Sequence, residues 1–241
     1  MKVKICGITT TGIASQVAVL KPDYMGFVFT KSKRQIDPLG AARIIESLQA
    51  EPCGSSVQYV GVFGCTSEQE LSDVLKQVPL HAVQFHLPED VTWIPTVRER
   101  YGVDIWVTVP IAQSVEHLSS DGAISEKLQA GALAKVNHIK HAISGLLLDT
   151  HDPVHGGGSG KSFRWELIPL IAEQIREMDV PLYAAGGLTA DNVASLLQYP
   201  VDGVDVSSGV ETKGVKDIEK VKQFIERVRS HDQSSTNLSI S

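Results

Sequence analysis

Apolar and polar positions alternate between two lengths along the chain. Short apolar runs, many of them β-branched, recur at Val3–Ile5, Tyr24–Phe29, Val57–Phe63, His81–Phe85, Asp104–Val109, Gly145–Asp149, Pro181–Ala185 and Gly203–Val206. Runs of this kind predict strands buried on both faces. Longer amphipathic stretches separate them. Ser67, with Glu70 three residues on, has the spacing of a capping box and predicts a helix start. Thr189-Ala190-Asp191-Asn192 opens another helix. From Asp217 to Arg229, Ile218, Val221, Phe224, Ile225 and Val228 fall on one helical face. About eight strand–helix alternations predict a parallel sheet, because parallel neighbours need helical crossovers. A closed barrel and an open doubly wound sheet both satisfy that rule. The count, the length of 241 residues and the lack of an early G-x-G-x-x-G favour a single (β/α)8 TIM barrel.

The expected organisation is one barrel domain over residues 1–230, then a polar, Ser-rich and disordered tail over 231–241. The link from Gln113 to Asn137 is long for one strand–helix connection, and Ser119-Ser120-Asp121-Gly122 marks a turn inside it.

Hydrophobic residues make up 42% of the chain and charged residues 21%, enough apolar material for a full core. The net charge of -6 leaves no basic field for a nucleic-acid backbone, so an anionic ligand needs local donors. Cys6, Cys53 and Cys65 are odd in number and form no C-x-x-C, which points to a reducing compartment without a disulfide framework. The apolar run at the start is too short for a signal peptide, and no stretch is long enough to cross a bilayer. The expectation is a cytoplasmic protein with neither a membrane nor a nucleic-acid partner.

Candidate chemistry sits where strands end. Cys6 closes the first strand in Lys4-Ile5-Cys6-Gly7-Ile8-Thr9, at the kind of junction where barrel enzymes place their reactive groups. A lone cysteine is otherwise a small core residue, and a thiol acting as base needs a nearby cation or helix N-terminus. Asp149 ends Leu146-Leu147-Leu148-Asp149. A carboxylate at a buried strand mouth is solvated, paired or functional, and the same burial suits a general acid. Glycines cluster after the last two strands, at Ala185-Gly186-Gly187-Leu188 and Ser207-Ser208-Gly209, where barrels often hold a phosphate on backbone N–H groups.

Other features are weaker. His155 stands where the P-loop pattern requires glycine, so the run through Gly158 and Gly160 to Lys161-Ser162 reads better as a loop closing over ligand. Arg34, in Lys31-Ser32-Lys33-Arg34, suits a carboxylate or phosphate, but the local sequence reads more simply as a solvated basic loop. His86 is either a ligand contact or part of the upper barrel layer. His151, Asp152 and His155 lack a third strong ligand, so no metal site is expected.

Taken in order, the motifs resemble the phosphoribosylanthranilate isomerase family of tryptophan biosynthesis. The resemblance rests on Lys4–Thr9, Gly26–Phe29 with Ser32–Arg34, Val60–Phe63, Val83–His86 with Glu89, and Leu148-Asp149. It continues through Gly157–Gly160 with Phe163 and Trp165, Ala185–Leu188 with Asn192-Val193, Asp205–Glu211 and Gly214–Asp217. It implies a (β/α)8 barrel and an Amadori rearrangement, with Cys6 as general base and Asp149 as general acid. Arg34 would meet the anthranilate end, with His86, Gly158 and Gly160 also at the substrate. Gly186, Gly187, Ser208 and Gly209 would hold the 5'-phosphate. No cofactor is implied, and the partner is the small phosphosugar–anthranilate substrate of a monomer or homodimer. The chain departs from the family pattern at Leu87, at Arg164 and in the Thr-rich turn after Cys6. Another phosphosugar isomerase or epimerase and a non-catalytic phospho-ligand module are the alternatives.

Overall fold

The computed structural model describes residues 1–64, 66–86, 90–112, 129–151 and 164–238. Eight parallel strands close into a barrel in sequence order. They are β1 (Lys2–Cys6), β2 (Tyr24–Val28), β3 (Gln58–Phe63), β4 (Ala82–His86), β5 (Asp104–Ala112), β6 (Gly145–His151), β7 (Leu182–Ala184) and β8 (Gly203–Val206). Closure runs through β1 and β8, with Lys4 in register with Asp205 and Ile5 with Val206. That seam excludes the open sheet.

Helices follow the strands: α1 (Thr11–Val19), α2 (Pro38–Gln49), α3 (Glu68–Leu75), α4 (Ile94–Tyr101), α5 (Ala134–His138), α6 (Ile168–Ile175), α7 (Val193–Leu196) and α8 (Ile218–Leu238). Their starts follow local chemistry. Ser67 and Glu70 form the expected reciprocal capping box on α3, and Asp37 caps α2, which has Pro38 in its first turn. A short hairpin, β9 (Glu211–Thr212) with β10 (Val215–Lys216), sits between β8 and α8.

Alternation along each strand divides the core. Outward residues such as Val3, Ile5, Met25, Phe27, Val83 and Ile105 join the helices in one apolar shell. Inward residues stack in layers, as barrel interiors do. A base layer holds Tyr24, Trp106 and Tyr183, and an upper one holds Cys6, Val28 and Val62.

Two differences from the sequence reading matter. β5 and β6 pair from Trp106–Gly145 up to Ala112–His151, so Asp149 lies within the ladder opposite Pro110 and not at its end. The polar segment after residue 230 continues α8 as far as Leu238. Val221, Phe224 and Val228 anchor that helix in the core. Asp232 takes the Met1 ammonium at 2.7 Å, which extends the anchored helix past its apolar face.

Candidate active site

Because all eight strands run the same way, their C-terminal ends share one rim. Cys6 is the last residue of β1 and His86 the last of β4; Asp149 lies near the top of β6. Arg34 follows β2, Gly186 and Gly187 follow β7, and Ser208 and Gly209 follow β8. The fold therefore gathers these predicted positions at one end. Gly158 and Gly160, like Asp152 and His155, lie outside the described residues. Among the described residues no cluster of three His, Cys, Asp or Glu side chains is arranged to hold a metal.

Cys6 is 8% exposed and packs beside Val28 and Val62. Gly26 of β2 is its register partner, and a Cβ on Gly26 would stand 2.8 Å from the Cys6 sulfur. The glycine thus makes room for the thiol. Below Cys6, Lys4 is completely buried and donates from Nζ to Asp205 Oδ2 at 2.8 Å. Burial pushes the Cys6 thiol above its usual range, while Lys4 and, more weakly, Lys216 pull it back. Burial likewise opposes charge on Lys4, but Asp205 and the sulfur outweigh it and leave the ammonium favoured.

Arg34 differs from its local reading. Its side chain is only 17% exposed, and Glu211 of β9 grips it with two bonds, from Nε to Oε1 at 2.7 Å and from Nη2 to Oε2 at 2.8 Å. This fork fixes the guanidinium plane. The partner is 177 positions away, so the local sequence could not show it. Lys216 of β10 shares the same carboxylate at 2.5 Å and also donates to the Ser207 carbonyl at 3.1 Å. Two cations hold the Glu211 carboxyl below its usual range against the effect of burial. The Ser207 hydroxyl in turn donates to the Cys6 carbonyl at 3.1 Å, which ties the hairpin to β1.

The two late glycine loops touch. A Cβ on Gly209 would lie 1.7 Å from the Leu188 carbonyl oxygen, so only glycine permits this approach. Gly186 and Gly187 take positive φ values of 87° and 64°. Asn192 pins their loop: it accepts from the Thr189 N–H at 2.8 Å and donates to the Gly187 carbonyl at 2.9 Å. Among the described residues, none accepts a hydrogen bond from the backbone N–H groups of Gly186, Gly187, Ser208 or Gly209. The adjoining loops suit a phosphate.

His86 is partly buried on the same rim. Burial first, and then the Lys4 charge, lower its basicity and favour the neutral ring. Lys4, Asp205, Glu211 and Lys216 received no role from sequence reasoning. A lysine inside the apolar Val3-Lys4-Ile5 run was the one available signal, since an inward lysine on a buried strand requires a partner.

Comparison with known proteins identifies the family. Residues 3–227 match the family described as N-(5'phosphoribosyl)anthranilate (PRA) isomerase. An N-(5'-phosphoribosyl)anthranilate isomerase of Brevibacillus brevis is 36% identical over 237 residues, which cover 98% of this chain and 97% of that protein. The crystal structure of phosphoribosyl anthranilate isomerase from Thermotoga maritima aligns with a TM-score of 0.75 at 33% identity, covering 95% of this chain and 99% of that one. A phosphoribosyl anthranilate isomerase in complex with reduced 1-(o-carboxyphenylamino)-1-deoxyribulose 5-phosphate aligns with a TM-score of 0.70 at 30% identity, with the same coverage. With a family match over nearly its whole length, this chain belongs to the N-(5'-phosphoribosyl)anthranilate isomerase family.

Proposed function

We propose that this protein converts N-(5-phosphoribosyl)anthranilate to 1-(2-carboxyphenylamino)-1-deoxyribulose 5-phosphate in tryptophan biosynthesis. The observation that carries the reading is the shared rim. A thiol on β1 and a carboxyl on β6 share it with two touching glycine loops whose N–H groups suit a phosphate.

The phosphate binds at Gly186, Gly187, Ser208 and Gly209. Glu211 occupies the Nε and Nη2 edge of Arg34. That leaves Nη1 to meet the anthranilate carboxylate. Asp149, protonated, donates to the furanose ring oxygen as the bond from that oxygen to C1 breaks, and a Schiff base forms. Cys6, as thiolate, removes the proton from C2 and gives an enolamine. Protonation at C1 and loss of the C2 hydroxyl proton complete the ketone. Every proton lost is matched by one gained, so the reaction is an isomerisation. Acid and base need opposite protonation states in one mouth, and because burial favours the neutral thiol, the thiolate depends on the cations that pull Cys6 back.

The test is turnover of the fluorescent anthranilate conjugate. Cys6→Ser and Asp149→Asn should each lower kcat by at least about a hundredfold, with KM changed much less. Near-normal turnover in either variant removes that residue from its role. Turnover of other pentose phosphates but not of the conjugate would replace the substrate.

A further inference from the structure

The charges of Lys4, Asp205, Lys216 and Arg34 act on Cys6, and their bonds single one of them out. Lys216 has three N–H donors. They are engaged by Glu211 Oε1, the Ser207 carbonyl and, at 3.4 Å, the Ser207 hydroxyl. Arg34 is held by Glu211. Among the described residues, Lys4 donates to one oxygen, Asp205 Oδ2. It lies two residues before Cys6 on the same strand, so both side chains enter the barrel interior from one face. The two side chains therefore stand one above the other on that face, and the charge of each favours the charged form of the other.

We propose that Lys4, clamped by Asp205 inside the barrel, is the positioning cation that compensates the thiolate of Cys6; the proposal deepens the reading of Cys6 as the base. A buried Lys–Asp pair adds little stability by itself, because desolvation offsets most of the attraction. This pair is also incompletely satisfied, since Asp205 Oδ1 is buried with no hydrogen bond among the described residues. Such a carboxylate holds the ammonium in place without saturating it. Lys4 then keeps donors for a second anion, and the sulfur is the acceptor at hand.

The charged groups acting on the sulfur are Lys4 from β1, Asp205 from β8, Lys216 from β10 and Arg34 from the loop after β2, and Glu211 from β9 pairs with the last two. His86 on β4 and Asp149 on β6 share the rim, while β2 and β3 offer Gly26, Val28 and Val62. Burial raises the thiol most. Lys4 opposes that rise first, Asp205 adds to it, and Lys216 opposes it less than Lys4. Removing Lys4 and removing Asp205 should therefore move Cys6 in opposite directions. A role confined to packing gives no such reversal.

The experiment follows thiolate absorbance against pH in a Cys53→Ser/Cys65→Ser background, where only Cys6 reports. Lys4→Met should raise the Cys6 titration by about one pH unit or more, and Asp205→Asn should lower it. If Lys4→Met fails to fold around the unpaired Asp205, the Lys4→Met/Asp205→Asn protein removes that buried charge. Its thiol should titrate above that of the parent, because Lys4 stands on the sulfur's own strand face while Asp205 comes from the neighbouring strand, in register with Lys4. The acid limb of kcat/KM should follow the same shifts. Unchanged titration in the variants, or a shift of one sign in both single variants, overturns the proposal. Opposed thiol shifts with an unmoved kinetic limb uphold Lys4 as the partner of Cys6 and instead remove Cys6 as the base.

Discussion

At the base of the barrel interior, Trp106 and Tyr183 stack with centroids 4.4 Å apart, and Tyr24 meets Trp106 edge-on at 4.7 Å. From the middle of the interior up to the mouth, inward positions of the strands carry Lys4, Asp205, Cys6, His86 and Asp149. The base settles its polar atoms locally: the Tyr24 and Tyr183 hydroxyls face each other at 3.4 Å, and burial keeps Tyr183 protonated. Just outside, Asp23 collects Lys2, the Val3 N–H and Arg229, and so binds the N-terminal strand to the last helix. The mouth leaves business unfinished. Among the described residues, Asp205 Oδ1 and Gln84 Oε1 are buried without hydrogen-bond partners, and the backbone donors of the glycine loops have no acceptor. One end spends its side chains on stability and the other on chemistry, although the backbone alternation is identical.

Three substitutions test that division, from the strongest effect down. Trp106→Ala should cost about 3–5 kcal/mol of stability in a denaturant titration, while kcat per folded molecule stays near that of the parent. A large kcat loss without destabilisation would erase the distinction. Glu211→Gln should do the reverse. With the Arg34 fork weakened, KM rises about tenfold and kcat falls less, while the buried Lys216 left without its counter-charge costs about 1–3 kcal/mol of stability, less than the loss of Trp106. A variant that mainly loses stability would place Glu211 with the base residues. The mildest effect belongs to Asp23. Burial opposes its charge, but Lys2, the Val3 N–H and Arg229 prevail and lower its pKa. Its contribution is therefore present above the unfolded carboxylate value of about 3.9 and is lost as pH falls through the lower folded value. Asp23→Asn should cost about 1 kcal/mol at neutral pH and flatten the acid decline of stability, with kcat unaffected. An unflattened acid limb would show that other carboxylates govern it.

The elements themselves were legible from local pattern. Strand positions followed the apolar runs to within a few residues, and the Ser67–Glu70 spacing marked the start of α3. Cys6 and the glycine loops were visible because each sits where an apolar run meets a turn, and Asp149 because it breaks an apolar run, although its strand continues to His151. Arg34 was misjudged locally, since a basic loop looks the same whether it meets water or a carboxylate. The extension of α8 past residue 230 was equally hidden, because a polar segment carries no periodicity to announce a helix.

By itself, then, the chain's order of residues determined which segments become strands and helices, and which reactive groups stand at strand ends. Those properties depend on hydrogen bonding and side-chain alternation over a few neighbours. Only the closed barrel decided who faces whom. Lys4 meets Asp205 across 201 positions and Arg34 meets Glu211 across 177, through strand register and the β1–β8 seam. Charge acts through space and not along the chain, so the environment of the thiol exists only once those distant carboxylates and cations are packed around it.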